Sequence, residues 1–265
     1  PYLALGADLS PQEQMTVLSL LGLSDINVDD YDIISITNAD EHEYLDKYLD
    51  ASIIGTRALS SVLVVGKEAG NGIHVTTKNI SYCTEGMYRN ALLTAGIEDA
   101  DITVAGPFSI SGTAALVGAI KAYETMTGEE IDDENLDAAN DELVLTGKLV
   151  EDIGDSEKAE DLMALVKQEV AENKLTSAED IQNVVDQACE QLDIQLSEEN
   201  QQQIAKLMKK IEGLDLDVDK LKDQAKDLYQ KLENLDFHVD KESVGNFFTR
   251  IIDAIVKFFQ GLFGK

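Results

Sequence analysis

Apolar residues recur at two different spacings along this chain, and the change from one to the other falls near residue 110. Before it, short strand-like runs dominate. Ile33, Ile34 and Ile36 form one, Leu59 to Val65 another, and Ile73, Val75 and Thr77 alternate with His74, Thr76 and Lys78. Ile102 to Ala105 supplies a last short strand, and Asn71-Gly72 turns the chain between the second and third. Helices are expected from Asp40 to Leu49 and from Thr84 to Ala95. Upstream, Ser10-Pro11-Gln12-Glu13 predicts a helix start, because the Ser hydroxyl caps the first amides, Pro suits the first helical position and Glu13 reaches back. That helix runs to Leu21, with Gly22 as its stop. The order over residues 31–106 is β-α-β-β-α-β. It predicts an α+β fold whose first part is a ferredoxin-like split βαβ module, four antiparallel strands carrying two helices on one face.

From Ser111 onward the spacing is helical throughout. Leu162, Leu165 and Val166, then Ile181, Val184, Val185 and Ala188, then Ile204, Leu207, Met208 and Ile211 each mark one apolar helix face. Thr176 with Glu179 reads as a capping box, and Ser197 opens the next helix. Turns such as Gly213-Leu214-Asp215 keep these helices short, so an all-helical bundle or array of hairpins is expected rather than one long coiled coil. The implied organisation is an α/β domain with an N-terminal helix (1–110), an acidic helical domain (111–240) and an amphipathic C-terminal helix (241–265).

Charge sharpens the view of that last segment. The chain carries 51 Asp and Glu against 21 Lys and Arg, a formal charge of -30, whereas residues 245–265 hold Arg250, Lys257 and Lys265 against the single acid Asp253. Phe247, Phe248, Ile251, Ile252, Ile255, Val256, Phe259, Leu262 and Phe263 make a broad apolar stripe, with Arg250, Asp253 and Lys257 opposite. Burying these side chains is worth on the order of 14 to 27 kcal/mol gross, so the stripe needs a dry contact. Docking on the protein itself, a homodimer contact and insertion into a membrane surface all satisfy that need. No uncharged apolar run reaches the length of a spanning helix. The acidity excludes nucleic acid as a partner, since too few cations are present to neutralise phosphates. Cys83 and Cys189, placed in different domains, read as two buried free thiols, with a disulfide the alternative that an extracellular setting permits.

Several blocks are similar to one known family: PYLALGADLSPQEQ, SITNADEHEYLDKYL, IGTRALSSVLVV and GIHVTTKNISYCTEGMYRNALLTAGIEDADITVAGPFSISGTAALVGAIKAYE. They resemble the YpuA-type family of predicted secreted proteins of unknown function from Gram-positive bacteria. The likeness covers most of residues 1–127 and extends to LDLDVDKLK near Asp217. It implies export with removal of a signal peptide, in keeping with a chain that starts at Pro1. It implies no catalytic residues.

Candidate ligand-binding residues come from three places. Gly106 to Thr113 leads into an Ala-rich helix, where Ser109, Ser111 and Thr113 beside free amides could hold an anion; the plainer reading is caps and a domain-joining turn. Arg57, with Thr56, Ser60 and Ser61, introduces a strand and suits a substrate carboxylate, although in so acidic a chain it also suits tethering a neighbouring Asp or Glu. His42 and Asp46 share a helix face with metal-ligand spacing, against which stands an ordinary surface His. Asp25, Asn27 and Asp29 imitate the opening of a calcium loop, but Asp30 replaces the required Gly and Ile36 the required Glu. No cofactor is expected beyond weak calcium binding at acid-rich loops, and the metal question stays open.

These features together predict an exported protein that binds a protein partner or cell-envelope component and performs no catalysis. Two alternatives accompany it: a secreted hydrolase with a cleft on the α/β module, and a peripheral membrane-binding protein acting through the C-terminal helix.

Overall fold

The computed structural model describes residues 1–24 and 32–224. The stretch from Asp25 to Asp30 and the whole C-terminal stripe from Phe247 to Phe263 lie outside the described residues.

The chain runs β1 (Tyr2–Gly6), α1 (Pro11–Leu20), β2 (Asp32–Ile36), α2 (Asn38–Leu45), α3 (Ala51–Ile54), β3 (Ser61–Gly66), β4 (Ile73–Ile80), α4 (Glu85–Thr94) and β5 (Ala100–Ile110). Helices α5 (Thr113–Thr127), α6 (Asp133–Ile153), α7 (Ser156–Asn173), α8 (Ala178–Gln191) and α9 (Glu198–Glu212) follow. The class is α+β with a largely helical C-terminal region. Cap chemistry sets several helix starts: Ser10 Oγ accepts from the Glu13 amide while Glu13 accepts from the Ser10 amide at 2.7 Å, and Ser197 Oγ accepts from Asn200 at 3.1 Å. Helix α8 begins one residue later than expected, with Ser177 rather than Thr176 as its cap, because it is the Ser177 hydroxyl that receives the Asp180 amide.

The expected sheet needs correction. It has five strands in the order β2-β1-β3-β5-β4, and they are mixed: β1/β2 and β4/β5 are parallel, β1/β3 and β3/β5 antiparallel. The arrangement is not the four-stranded antiparallel sheet of a ferredoxin-like module. Two strand placements account for the difference. Residues Tyr2–Gly6 form an unforeseen strand between β2 and β3, and β5 inserts between β3 and β4 although Asn71-Gly72 turns the chain there. Four strands consequently run in one direction, and only β3 opposes them.

Both faces of the central strands are covered. Leu3 and Leu5 of β1 pack with Val17 and Leu21 beside α1, while Ala4 between them joins Ile36 and Val62 in the main core on the opposite face. Helix α5 rests on that second face against β1 and β3. Its contact is close because residue 118 is glycine: a Cβ there would stand 2.8 Å from the Ala4 Cβ and 3.1 Å from a Val62 methyl. The main core continues through α4 to α6, with Met87 and Leu92 in the same cluster as Ala139 and Leu143. Both cysteines are free and buried, and no helix among the described residues is long and apolar enough to cross a membrane.

Where α4, α6 and α7 meet, a buried ion pair joins them. Lys167 Nζ donates to both Glu142 carboxyl oxygens at 3.0 and 3.2 Å, to Asn90 O at 2.9 Å and to Thr94 Oγ1 at 3.1 Å, and both charged side chains are wholly buried. Burial pushes the Glu142 carboxyl up and the Lys167 ammonium down, while their mutual attraction opposes both shifts. Lys167→Met would strand Glu142 in a dry site. Guanidinium titration should show a loss of about 3 to 5 kcal/mol, and adding Glu142→Leu should recover most of it. A single substitution costing under about 1 kcal/mol would contradict this account of the junction.

Candidate binding cleft

A cleft of about 480 Å³ opens where β4 and β5 end, β3 begins and α5 starts. The sequence explains the position. In open sheets, loops leaving the carboxyl ends of co-directional strands enclose a crevice, and here β1, β2, β4 and β5 all end on this side. Ile53, Ile54, Tyr82 and Phe108 form its apolar walls; Glu41, Ser60, Ser81, Ser111 and Thr113 supply polar groups, and Thr56 and Arg57 stand at the edge.

Most of those polar groups are already fixed by bonds within the chain. Thr113 Oγ1 donates to Glu41 Oε1 at 2.6 Å and lies 3.2 Å from Ser111 Oγ. Ser60 Oγ accepts from the Ala115 amide at 2.9 Å, capping α5 from a distant part of the chain and leaving its own proton for another acceptor. Ser81 Oγ donates to Ile110 O at 3.0 Å. Glu41 sits on α2 one turn before Leu45, so the face that buries Leu45 buries Glu41 with it; they are 0% and 1% exposed. Burial pushes its carboxyl above the ordinary range, and the bonds from Thr113 and Asn38 only partly offset that.

Of the sequence-nominated residues, Arg57, Ser111 and Thr113 line this cleft together. The Arg57 guanidinium turns to α1, donating to Asp8 O at 2.8 Å and Glu13 Oε2 at 2.9 Å, so it does tether a neighbouring acid. Bonds from Ser10, reinforced by Arg57, hold the Glu13 carboxyl down at about 2. His42 and Asp46 share a helix face as expected and bond to each other at 2.5 Å, but neither lines the cleft. The Asp46 bond pushes the His42 imidazole pKa up. Ser109 is exposed and also outside the lining. No His, Cys or Lys is among the lining residues. Among the described residues no three metal-ligating side chains converge.

Glu41, Tyr82 and Phe108 escaped nomination. Glu41 was detectable, since its four-residue spacing to Leu45 places a carboxylate on an apolar helix face. Tyr82 carried no such signal.

The structure defines an α+β domain with a mixed five-stranded sheet and a partly polar crevice at the carboxyl ends of its co-directional strands. The chain belongs to the family described as "Protein of unknown function (DUF1002)", whose model matches residues 5–228. It is also similar to the uncharacterized protein YpuA of Bacillus subtilis (strain 168), at 39% identity over 261 residues, covering 97% of this chain and 88% of that one. No solved structure matches it.

The buried Glu41 carboxyl gives a signed pH dependence. With its folded pKa raised above 4.5, the folded state holds a proton that the unfolded chain releases, so this group's contribution to stability falls as pH rises from 4.5 to the folded value. Glu41→Gln keeps an acceptor for Thr113 without the charge. Urea titrations across that range should show the decline flattened and stability at pH 7 equal or higher; a clear loss at pH 7 would mean the ionised carboxylate is needed to hold α5.

Proposed function

We propose that this chain is an exported binding protein of the bacterial cell envelope, which holds a wall component in the cleft at the start of α5 and performs no catalysis. One observation carries the binding half of this reading. The Ser60, Ser81 and Thr113 hydroxyls and the one carboxyl of the cleft, Glu41, are held in place by hydrogen bonds within the chain, which preorganises this part of the lining to receive a ligand. Ser60 serves as a cap for α5, and no imidazole or thiol lines the cleft beside it. The nearest cysteine along the chain, Cys83, is buried, and burial pushes its thiol up to about 12. Such a site suits holding a molecule better than attacking one. The export half rests on the resemblance of the N-terminal blocks to a family of predicted secreted proteins from Gram-positive bacteria.

Thr56 is exposed and lies at the cleft edge, so Thr56→Trp should fill the opening and leave the core intact. Purified full-length protein should pellet with isolated Gram-positive wall sacculi, and the Trp variant should stay in the supernatant at an unchanged melting temperature. Equal pelleting of both would remove the cleft from the reading. Failure of both to pellet would remove the wall as partner.

A further inference from the structure

Strand β5 makes an excursion at the cleft mouth. Lys78 pairs with Ala105 and Ile80 with Ile110, so two steps along β4 correspond to five along β5, and Gly106, Pro107, Phe108 and Ser109 are thrown out of the ladder. The excursion is built rather than slack. A Cβ on Gly106 would stand 2.7 to 2.9 Å from Ile110, Phe108 O and Asn79 O. Pro107 fixes its own φ. Asn79, held in the left-handed region at φ 60°, donates through its side-chain amide to Gly106 O at 3.1 Å.

This scaffold presents one side chain. Phe108 is 48% exposed and lines the cleft, whereas only Met15 and Ile33 are comparably exposed large apolar residues among those described. The cleft is also lined by Ser52, Ser60, Ser81, Ser111 and Thr113, by Glu41 and by Tyr82; of these Ser52 and Ser81 are exposed and Ser111 and Tyr82 half-buried. A ligand matching both parts carries an apolar C–H face for the ring and several hydroxyls for the polar lining. Charge narrows the choice. A chain at -30 repels anions, the one guanidinium at the edge is engaged by Glu13, and the start of α5 already receives Glu41 and Ser60 from within the chain. The one lining carboxyl, Glu41, is buried and already receives Asn38 and Thr113, which weakens the case for a cationic ligand.

We propose that the cleft is a saccharide site, in which Phe108 stacks on the C–H face of a neutral sugar ring and the more accessible lining hydroxyls, those of Ser52, Ser81 and Ser111, hydrogen-bond the sugar. This deepens the binding reading above and rests on it.

Calorimetric titration of the full-length protein with N-acetylglucosamine tetramer, cellotetraose and maltotetraose tests it, with inorganic phosphate and spermidine as anionic and cationic comparisons. At least one oligosaccharide should saturate the protein. Phe108→Ala should weaken that binding about tenfold or more, as removal of a central aromatic contact does, at an unchanged melting temperature, and Phe108→Tyr should keep it. Absence of saturation by every oligosaccharide up to about 10 mM, binding of phosphate or spermidine alone, or an affinity indifferent to Phe108→Ala would each overturn the proposal. If sacculus pelleting is nevertheless lost in Thr56→Trp and kept in Phe108→Ala, the cleft remains the binding site and only the saccharide assignment falls.

Discussion

The seating of α5 on the sheet is the contact on which the rest of the molecule depends. Gly118 lets the helix approach Ala4 and Val62 closely, so its axis is set by backbone proximity rather than by side-chain bulk. Its first turn is held at the other end by Ser60 and Glu41, which come from the segment before β3 and from α2. A helix fixed at both points must begin where the co-directional strands end. The cleft is the space left between that start, the α3 segment and the β5 excursion.

Element type and place were legible to a large extent. Ser10 with Glu13, and Ser197, announced helix starts that the structure contains, and the apolar run of β3 and the alternation in β4 marked real strands. The pairing was not legible. Residues Tyr2–Gly6 read YLALG with no polar alternation because β1 is buried on both faces, by α1 and by α5, and such a strand gives no period. Asn71-Gly72 suggested that β3 and β4 are neighbours, yet β5, nearly thirty residues on, lies between them and pairs with both. Local turn chemistry says where a chain reverses, and long-range burial decides what it meets.

The cleft shows the same division. Arg57, Ser111 and Thr113 were found as residue types near strand and helix ends, and the fold gathers them. His42 was read as a helix-face residue and is one, but its face points to Asp46. Gly106-Pro107-Phe108-Ser109 looked like a connection between domains. It is instead an excursion within one strand, because β4 resumes pairing with β5 at Ile80 and Ile110. Only that resumption, invisible in sequence, turns an ordinary Gly-Pro into a platform for an aromatic ring.

The central claim is that molecular recognition happens at the junction of β5 and α5. Amide chemical-shift mapping of the full-length protein against soluble glycan fragments released from Gram-positive walls tests it directly. The account predicts perturbations concentrated at Phe108, Ser111 and Thr113 and in the 53–60 segment; perturbations confined to α6 through α9, with these residues unmoved, would contradict it.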